Sequence, residues 1–308
     1  MRLLITGAAG FIGSNLARAA LAAGHQVVGL DDLSNGRREN LDGLGVELHE
    51  GSLLEPAVLE AAVQGADSVV HLAALGSVPR SLENPLRSHH ANATGTLALL
   101  EAARAAGVGH VVAASSSSVY GLNPALPKDE RQWVRPLSPY AVSKLATEQY
   151  VLAYQQSFGL DTLAFRFFNV YGPRQQPGHA YAAVVPIFLD ALLSGRPLPV
   201  HGDGSQSRDF TYVGTVCRAL MSAVERRVSH PEPVNLAFGT NTTLLELVRR
   251  MEGVTGREAR VEHHPSRPGD VRASQADNSR LRELLPDLEP TPLDDGLVET
   301  VRWFEERR

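Results

Sequence analysis

The chain has a single cysteine, Cys217, in 308 residues. This excludes an intrachain disulfide and any multi-cysteine metal cluster, and it fits a reducing, cytoplasmic setting. Lysine is almost as scarce. Of 29 basic residues only Lys128 and Lys144 are lysines, so a basic position would hold one by chance only rarely. Long apolar runs are missing as well: no stretch approaches the roughly 20 residues of a membrane span, and Met1–Ile5 is too short for the core of a signal peptide. Positive charge is not in excess. With a net charge of −5, neither nucleic acid nor an anionic membrane is expected as a partner. The histidines offer no ligand spacing, because His89-His90 and His263-His264 are adjacent pairs, so no metal is expected.

What is present is an ordinary globular composition, 43% hydrophobic and 20% charged, arranged as short apolar runs alternating with helices. The runs are Leu3–Ile5, Val27–Leu30, Val46–His49, Ser68–Leu72, Val111–Ala114 and Thr162–Phe167. Helical patterns cover Ile12–Ala23, Leu97–Ala106 and Pro139–Phe158. Such an order predicts an α/β fold, a Rossmann-type doubly wound parallel sheet whose ligands bind at the carboxyl ends of its strands. From Gly172 the rhythm changes, and turn-rich stretches at 172–178 and 265–270 mark a smaller α/β substrate lobe. The expected division gives 1–168 plus about 213–238 to the dinucleotide domain, and about 169–212 plus 239–308 to the second lobe.

Thr6-Gly7-Ala8-Ala9-Gly10-Phe11-Ile12-Gly13 lies between the first strand and the first helix. Glycines there allow a tight turn and close backbone approach to a pyrophosphate, and the helix N-terminus turns free N–H groups toward it. Asp31 ends the second strand, 18 residues after Gly13, where a carboxylate accepts hydrogen bonds from an adenosine ribose. A carboxylate there repels a 2′-phosphate, which favours NAD; Arg37 and Arg38 close behind it keep NADP open.

Tyr140 and Lys144 stand four residues apart on the helix that follows Ser138-Pro139, which sets them one turn apart on one face. A free phenol has a pKa of about 10, too high for a base at neutral pH. A neighbouring ammonium and a positively charged nicotinamide ring favour the phenolate, which can then take a proton from a hydroxyl as hydride leaves the same carbon. Upstream, Ser115-Ser116-Ser117-Ser118 closes a strand at the same sheet edge and supplies hydroxyls to hold and relay that proton.

In series, these segments resemble the extended short-chain dehydrogenase/reductase family, and within it the nucleotide-sugar epimerases and dehydratases. The likeness also takes in His71–Ala74, Arg166–Gln175, Gly202–Tyr212 and Arg267–Asp277. It implies Tyr140 as base, Lys144 as its partner and Ser116 as the third catalytic hydroxyl. It implies that Gly7, Gly10, Phe11, Ile12, Gly13, Asp31, Asn35, Gly36, Leu53, Leu72, Ala73, Ala74, Asn92 and Ser115 surround NAD with Tyr140 and Lys144. Asn169, Val184, Arg208, Arg267 and Asp270 are then expected to hold a nucleotide diphosphate, and Ser77, Arg80, Ser116, Ser117 and Ser118 to face the sugar. Ser52 stands where the family often has an acidic contact to adenine. Dehydratases of this group carry an Asp-Glu pair where Ser117 and Ser118 stand, so a C4 epimerisation of a UDP-sugar is expected instead. The segments around Gly178–Pro186 and Arg267–Asp277 are similar to bacterial UDP-N-acetylglucosamine/UDP-N-acetylglucosaminuronate 4-epimerases, in which a small residue such as Ser274 leaves room for a C2 acetamido group. UDP-glucose and UDP-glucuronate stay open, as do a reductase, a dehydratase using other residues, and a silent dinucleotide sensor. The resemblance further implies a homodimer built on the helices near Gly95–Ala106 and Pro139–Phe158.

Overall fold

The computed structural model describes residues 1–177, 183–266 and 272–307. The first half alternates strand and helix: β1 (Arg2–Thr6), α1 (Phe11–Ala22), β2 (Gln26–Asp31), β3 (Val46–Glu50), α2 (Pro56–Val63), β4 (Ser68–His71), α3 (Val78–Glu83), α4 (Pro85–His89), α5 (Gly95–Ala105), β5 (His110–Ser116), α6 (Pro139–Phe158) and β6 (Asp161–Phe167). Beyond it follow β7 (Asn169–Tyr171), α7 (Val184–Leu193), β8 (Leu198–His201), β9 (Ser207–Arg208), β10 (Phe210–Tyr212), α8 (Val213–Glu225), β11 (Val234–Leu236), β12 (Thr242–Thr243), α9 (Leu244–Thr255), β13 (Val261–His264), α10 (Ser279–Leu284) and α11 (Leu293–Glu305).

Seven strands form one parallel sheet in the order β3-β2-β1-β4-β5-β6-β11. The apolar runs that become β1, β2, β4, β5 and β6 are buried almost throughout, because helices cover both sides, while the edge strand β3 stays partly exposed. Alternation along β1 shows how. Leu3 and Ile5 join Leu16 and Ala20 of α1 and Val216 and Leu220 of α8 on one face. Leu4 packs on the other with Leu59 of α2, Leu99 of α5 and Val151 of α6. Sheet order turns outward on either side of β1 and β4, which opens a crevice at their carboxyl ends.

The second lobe has its own core, in which Phe188 and Leu192 of α7, Leu247 and Met251 of α9, and Leu297 and Phe304 of α11 close on Leu198 and Val200 of β8. Its small sheets pair β7 with β10, β9 with β12, and β8 with β13. The chain runs back and forth between the two cores: Leu281 and Leu285, expected in the second lobe, pack with the sheet's own cluster.

Candidate active site

A cavity of about 530 Å³ opens along the carboxyl ends of the central strands, a size suited to a cofactor. One end is the turn between β1 and α1. Gly7 has φ 70°, and a Cβ on it would lie 2.8 Å from the Ala73 nitrogen; a Cβ on Gly13 would stand 2.0 Å from the Gly7 carbonyl oxygen. Only glycine fits either position, and the resulting bare backbone is what close approach to a pyrophosphate needs. The Asp31 carboxylate accepts from the Ala9 N–H at 2.9 Å and the Leu33 N–H at 2.8 Å. Burial nevertheless raises its pKa, the two backbone bonds opposing the rise. Gly10, Phe11, Ile12, Asn35, Gly36, Leu53, Leu72, Ala73, Ala74 and Ser115 also line this cavity. The donor set and the glycine cradle therefore fit a dinucleotide.

At the other end stand Ser116, Tyr140 and Lys144. Helix α6 sets the last two: Pro139 opens it, Ser138 Oγ accepts from the Ala141 N–H at 3.1 Å, and the helix runs on to Gly159 at φ 69°. Ser116 ends β5, and its hydroxyl acts to lower the pKa of the Tyr140 phenol. Burial is the larger effect and leaves that pKa above its usual value. Burial also brings the Lys144 ammonium down to about 8, with Glu148 opposing it. The acidic phenol expected above invokes the nicotinamide ring as well as the ammonium, and a cation beside the phenol would oppose the effect of burial.

Beneath the pair lies a buried network. His71, brought down to about 3 by burial and by the nearby Lys144 charge, bonds Thr6 Oγ1 at 2.8 Å and Thr96 Oγ1 at 2.9 Å. Thr96 gives its own proton to the Asn92 carbonyl, so His71 Nε2–H donates to Thr96 and Nδ1 accepts from Thr6. One turn beyond Lys144, Glu148 is fully buried, paired with Arg166 at 2.7 Å, and accepts from Ser115 at 2.8 Å. Sequence reasoning missed Glu148, although Tyr140, Lys144 and Glu148 repeat at four-residue spacing; it also missed Arg174, which lines the cavity.

Other expected residues sit elsewhere. Asn92 is buried behind the cavity wall, where its side-chain oxygen accepts from the Leu75 N–H at 2.7 Å and its Nδ2 donates to Ser143 at 2.9 Å. Ser77 caps α3 by accepting from the Arg80 N–H, and the Arg80 guanidinium donates to the Asn35 side-chain oxygen; neither residue lines the cavity. Ser118 donates to Ser116 at 2.9 Å, and Ser117 begins the short turn after β5. Asn169 lies between the cavity-lining Phe168 and Val170 and reaches the Asp209 carbonyl at 3.2 Å and Ser274 Oγ at 3.5 Å. Ser274 in turn donates its N–H to the Ser207 carbonyl beside Arg208, whose Nη1 donates to the same oxygen. Val184 starts α7 and is half-buried. Arg267 and Asp270 lie outside the described residues, as does most of the 178–186 segment. Among the described residues no group of acids, histidines and cysteines is arranged to hold a metal ion, and no helix is long and apolar enough to cross a membrane.

The model of the NAD-dependent epimerase/dehydratase family matches residues 3–237. The chain belongs to that family. A relative named UDP-glucose 4-epimerase from Mycolicibacterium smegmatis is 42% identical over 100% of this chain and 99% of its own. A solved UDP-N-acetylglucosamine 4-epimerase from Methanobrevibacter ruminantium, in complex with UDP-N-acetylmuramic acid, superposes with a TM-score of 0.94 at 36% identity, over 100% of this chain and 99% of that one. A Thermus thermophilus UDP-glucose 4-epimerase, solved in complex with NAD, gives 0.90 at 37% identity over 99% of both chains. As a member of the epimerase/dehydratase family this protein uses NAD.

Proposed function

We propose that the protein is a UDP-sugar 4-epimerase with Tyr140 as its base and the UDP-N-acetylglucosamine type as its sugar. The observation that carries this reading is the chemistry around the reacting end. Ser116, Tyr140 and Lys144 share the cavity, and the only carboxylates among the described residues lining it are Asp31 and Asp32, at the far end beside the glycine turn. Removing water from a sugar calls for an acid–base group beyond the phenol, and Ser117 and Ser118 stand where dehydratases of this group hold theirs. Inverting one carbinol carbon needs no such group. NAD, held by the Gly7–Gly13 turn and Asp31, would supply the hydride acceptor and donor for that carbon. Tyr140 Oη holds and gives back the hydroxyl proton, Ser116 hydrogen-bonds the reacting oxygen and the phenol, and the Lys144 ammonium, charged at neutral pH, stabilises the phenolate. Ser274, small and half-buried beside Asn169, supports an acetamido group at C2, in keeping with the ligand of the Methanobrevibacter relative.

The test is a panel of UDP-glucose, UDP-N-acetylglucosamine, their C6 uronates and the galacto isomers, incubated without added nicotinamide and followed by proton NMR. Interconversion of C4 isomers with no net reduction of cofactor is the expected result. Turnover that appears only when NAD is added, with stoichiometric formation of NADH, would make the protein a dehydrogenase and end the epimerase reading.

Two copies of the chain assembling through α5 and α6 form part of the same proposal. Val142, Tyr150 and Phe158 of α6 are exposed at 53%, 38% and 54%, apolar side chains of the sort that subunit contacts cover.

A further inference from the structure

The loop after β7 carries a cation that the reaction above leaves without a task. Arg174 is half-buried and lines the same cavity as Gly10, Phe11, Ile12 and Gly13. Its backbone sits at φ 71°, a region disfavoured for residues with a side chain and often retained where function requires it. The side chain is fastened to the first helix. Arg174 Nη1 donates to Asn15 Oδ1 at 3.1 Å, while Asn15 Nδ2 donates to the Phe11 carbonyl at 2.8 Å and the Pro173 carbonyl at 2.9 Å. No carboxylate among the described residues pairs with the guanidinium. Its charged neighbours are Arg18 and Arg307, and burial and these like charges together pull its pKa down.

A half-withdrawn cation flanked by cations is unfavourable, and an anion in the cavity relieves it. The N-terminus of α1 faces the same space with no acid in its first turn, so its free N–H groups and dipole add to the pull. Gln176 Nε2, buried and without a partner among the described residues, belongs to a side chain that also lines the cavity.

We propose that Arg174 is a diphosphate-binding residue of the cofactor site, its guanidinium closing over the NAD pyrophosphate from the side opposite the Gly10–Gly13 turn. The inference rests on the dinucleotide reading of the cavity. A sugar nucleotide offers the same diphosphate chemistry, but the Asn15 link to α1 commits Arg174 to the cofactor end.

The test uses the full chain freed of nucleotide, as wild type, Arg174→Gln and Arg174→Gly, titrated calorimetrically with ADP-ribose, adenosine and UDP. Losing a charge-assisted contact should weaken ADP-ribose binding about tenfold or more in both variants and leave adenosine and UDP unchanged. Unliganded Arg174→Gly should melt at or above the wild-type temperature, since glycine accepts this φ and one like charge is gone. Equal ADP-ribose affinity in all three proteins would overturn the proposal, as would a loss confined to UDP. Equal losses for ADP-ribose and adenosine, with lowered melting in both variants, would make Arg174 merely structural. A wild type that binds no ADP-ribose would overturn the dinucleotide reading itself, and the role of Arg174 with it.

Discussion

Tyr140 and Lys144 meet in a place where burial works against both charges: the phenol is pushed up and the ammonium down to about 8. Burial therefore favours the protonated phenol. Replacing Tyr140 with Phe keeps the packing and removes the acid–base group, so turnover should fall by about two orders of magnitude or more with the far-ultraviolet spectrum unchanged; steady-state rates of the variant check this. His71 makes a separate prediction about stability. Its neutral form is built into the fold, with a pKa of about 3 against an ordinary value of 6.5. The unfolded chain binds the extra proton first, so the contribution is intact above pH 6.5 and drains away as pH falls toward 3. Urea midpoints measured between pH 7 and pH 4 should drop steeply in the wild type. In His71→Gln the drop should be shallower, from a lower starting point because the Thr6 and Thr96 bonds are altered. Equal slopes would rule His71 out as the titrating group.

Among the elements, α6 brings Tyr140 and Lys144 to the cavity. Its first turn holds Tyr140 directly after Pro139, and the Ser138 cap fixes where that turn begins. Ser138→Ala should cost about 1 kcal/mol of stability and lower kcat more than it raises KM, because the displaced group acts in the reaction rather than in binding. Thermal melts and a kcat and KM comparison test both parts. A turn beyond Lys144 the same helix is locked to β5 and β6 through Glu148, Ser115 and Arg166. The Ser138-Pro139 start, the Tyr140–Lys144 spacing and the approximate ends of α6 were legible because they depend on neighbours close along the chain. The Glu148–Arg166 pair was not, since its partners stand 18 residues apart on different elements and only the fold closes that distance.

For the molecule as a whole, the cofactor is part of the stability. A ligand that binds only the folded state raises the melting temperature in proportion to its saturation. Adding NAD to the nucleotide-free protein should raise the melting point progressively with concentration, and Gly13→Ala, whose Cβ meets the Gly7 carbonyl, should abolish the increase. Differential scanning calorimetry decides it, and a concentration-dependent rise in the variant would remove the glycine turn from the site. Local order alone determined the alternating strands and helices, the glycine turn, Asp31 and the position of Tyr140, because each is encoded in side chains close together along the chain. The tertiary structure decided what those residues face. It seated Asn92, Ser77 and Arg80 outside the cavity, brought Arg174 into it, wove the two cores together and buried His71 neutral beneath Lys144. Each of these depends on desolvation and on contacts between distant segments, which exist only once the chain has closed on itself.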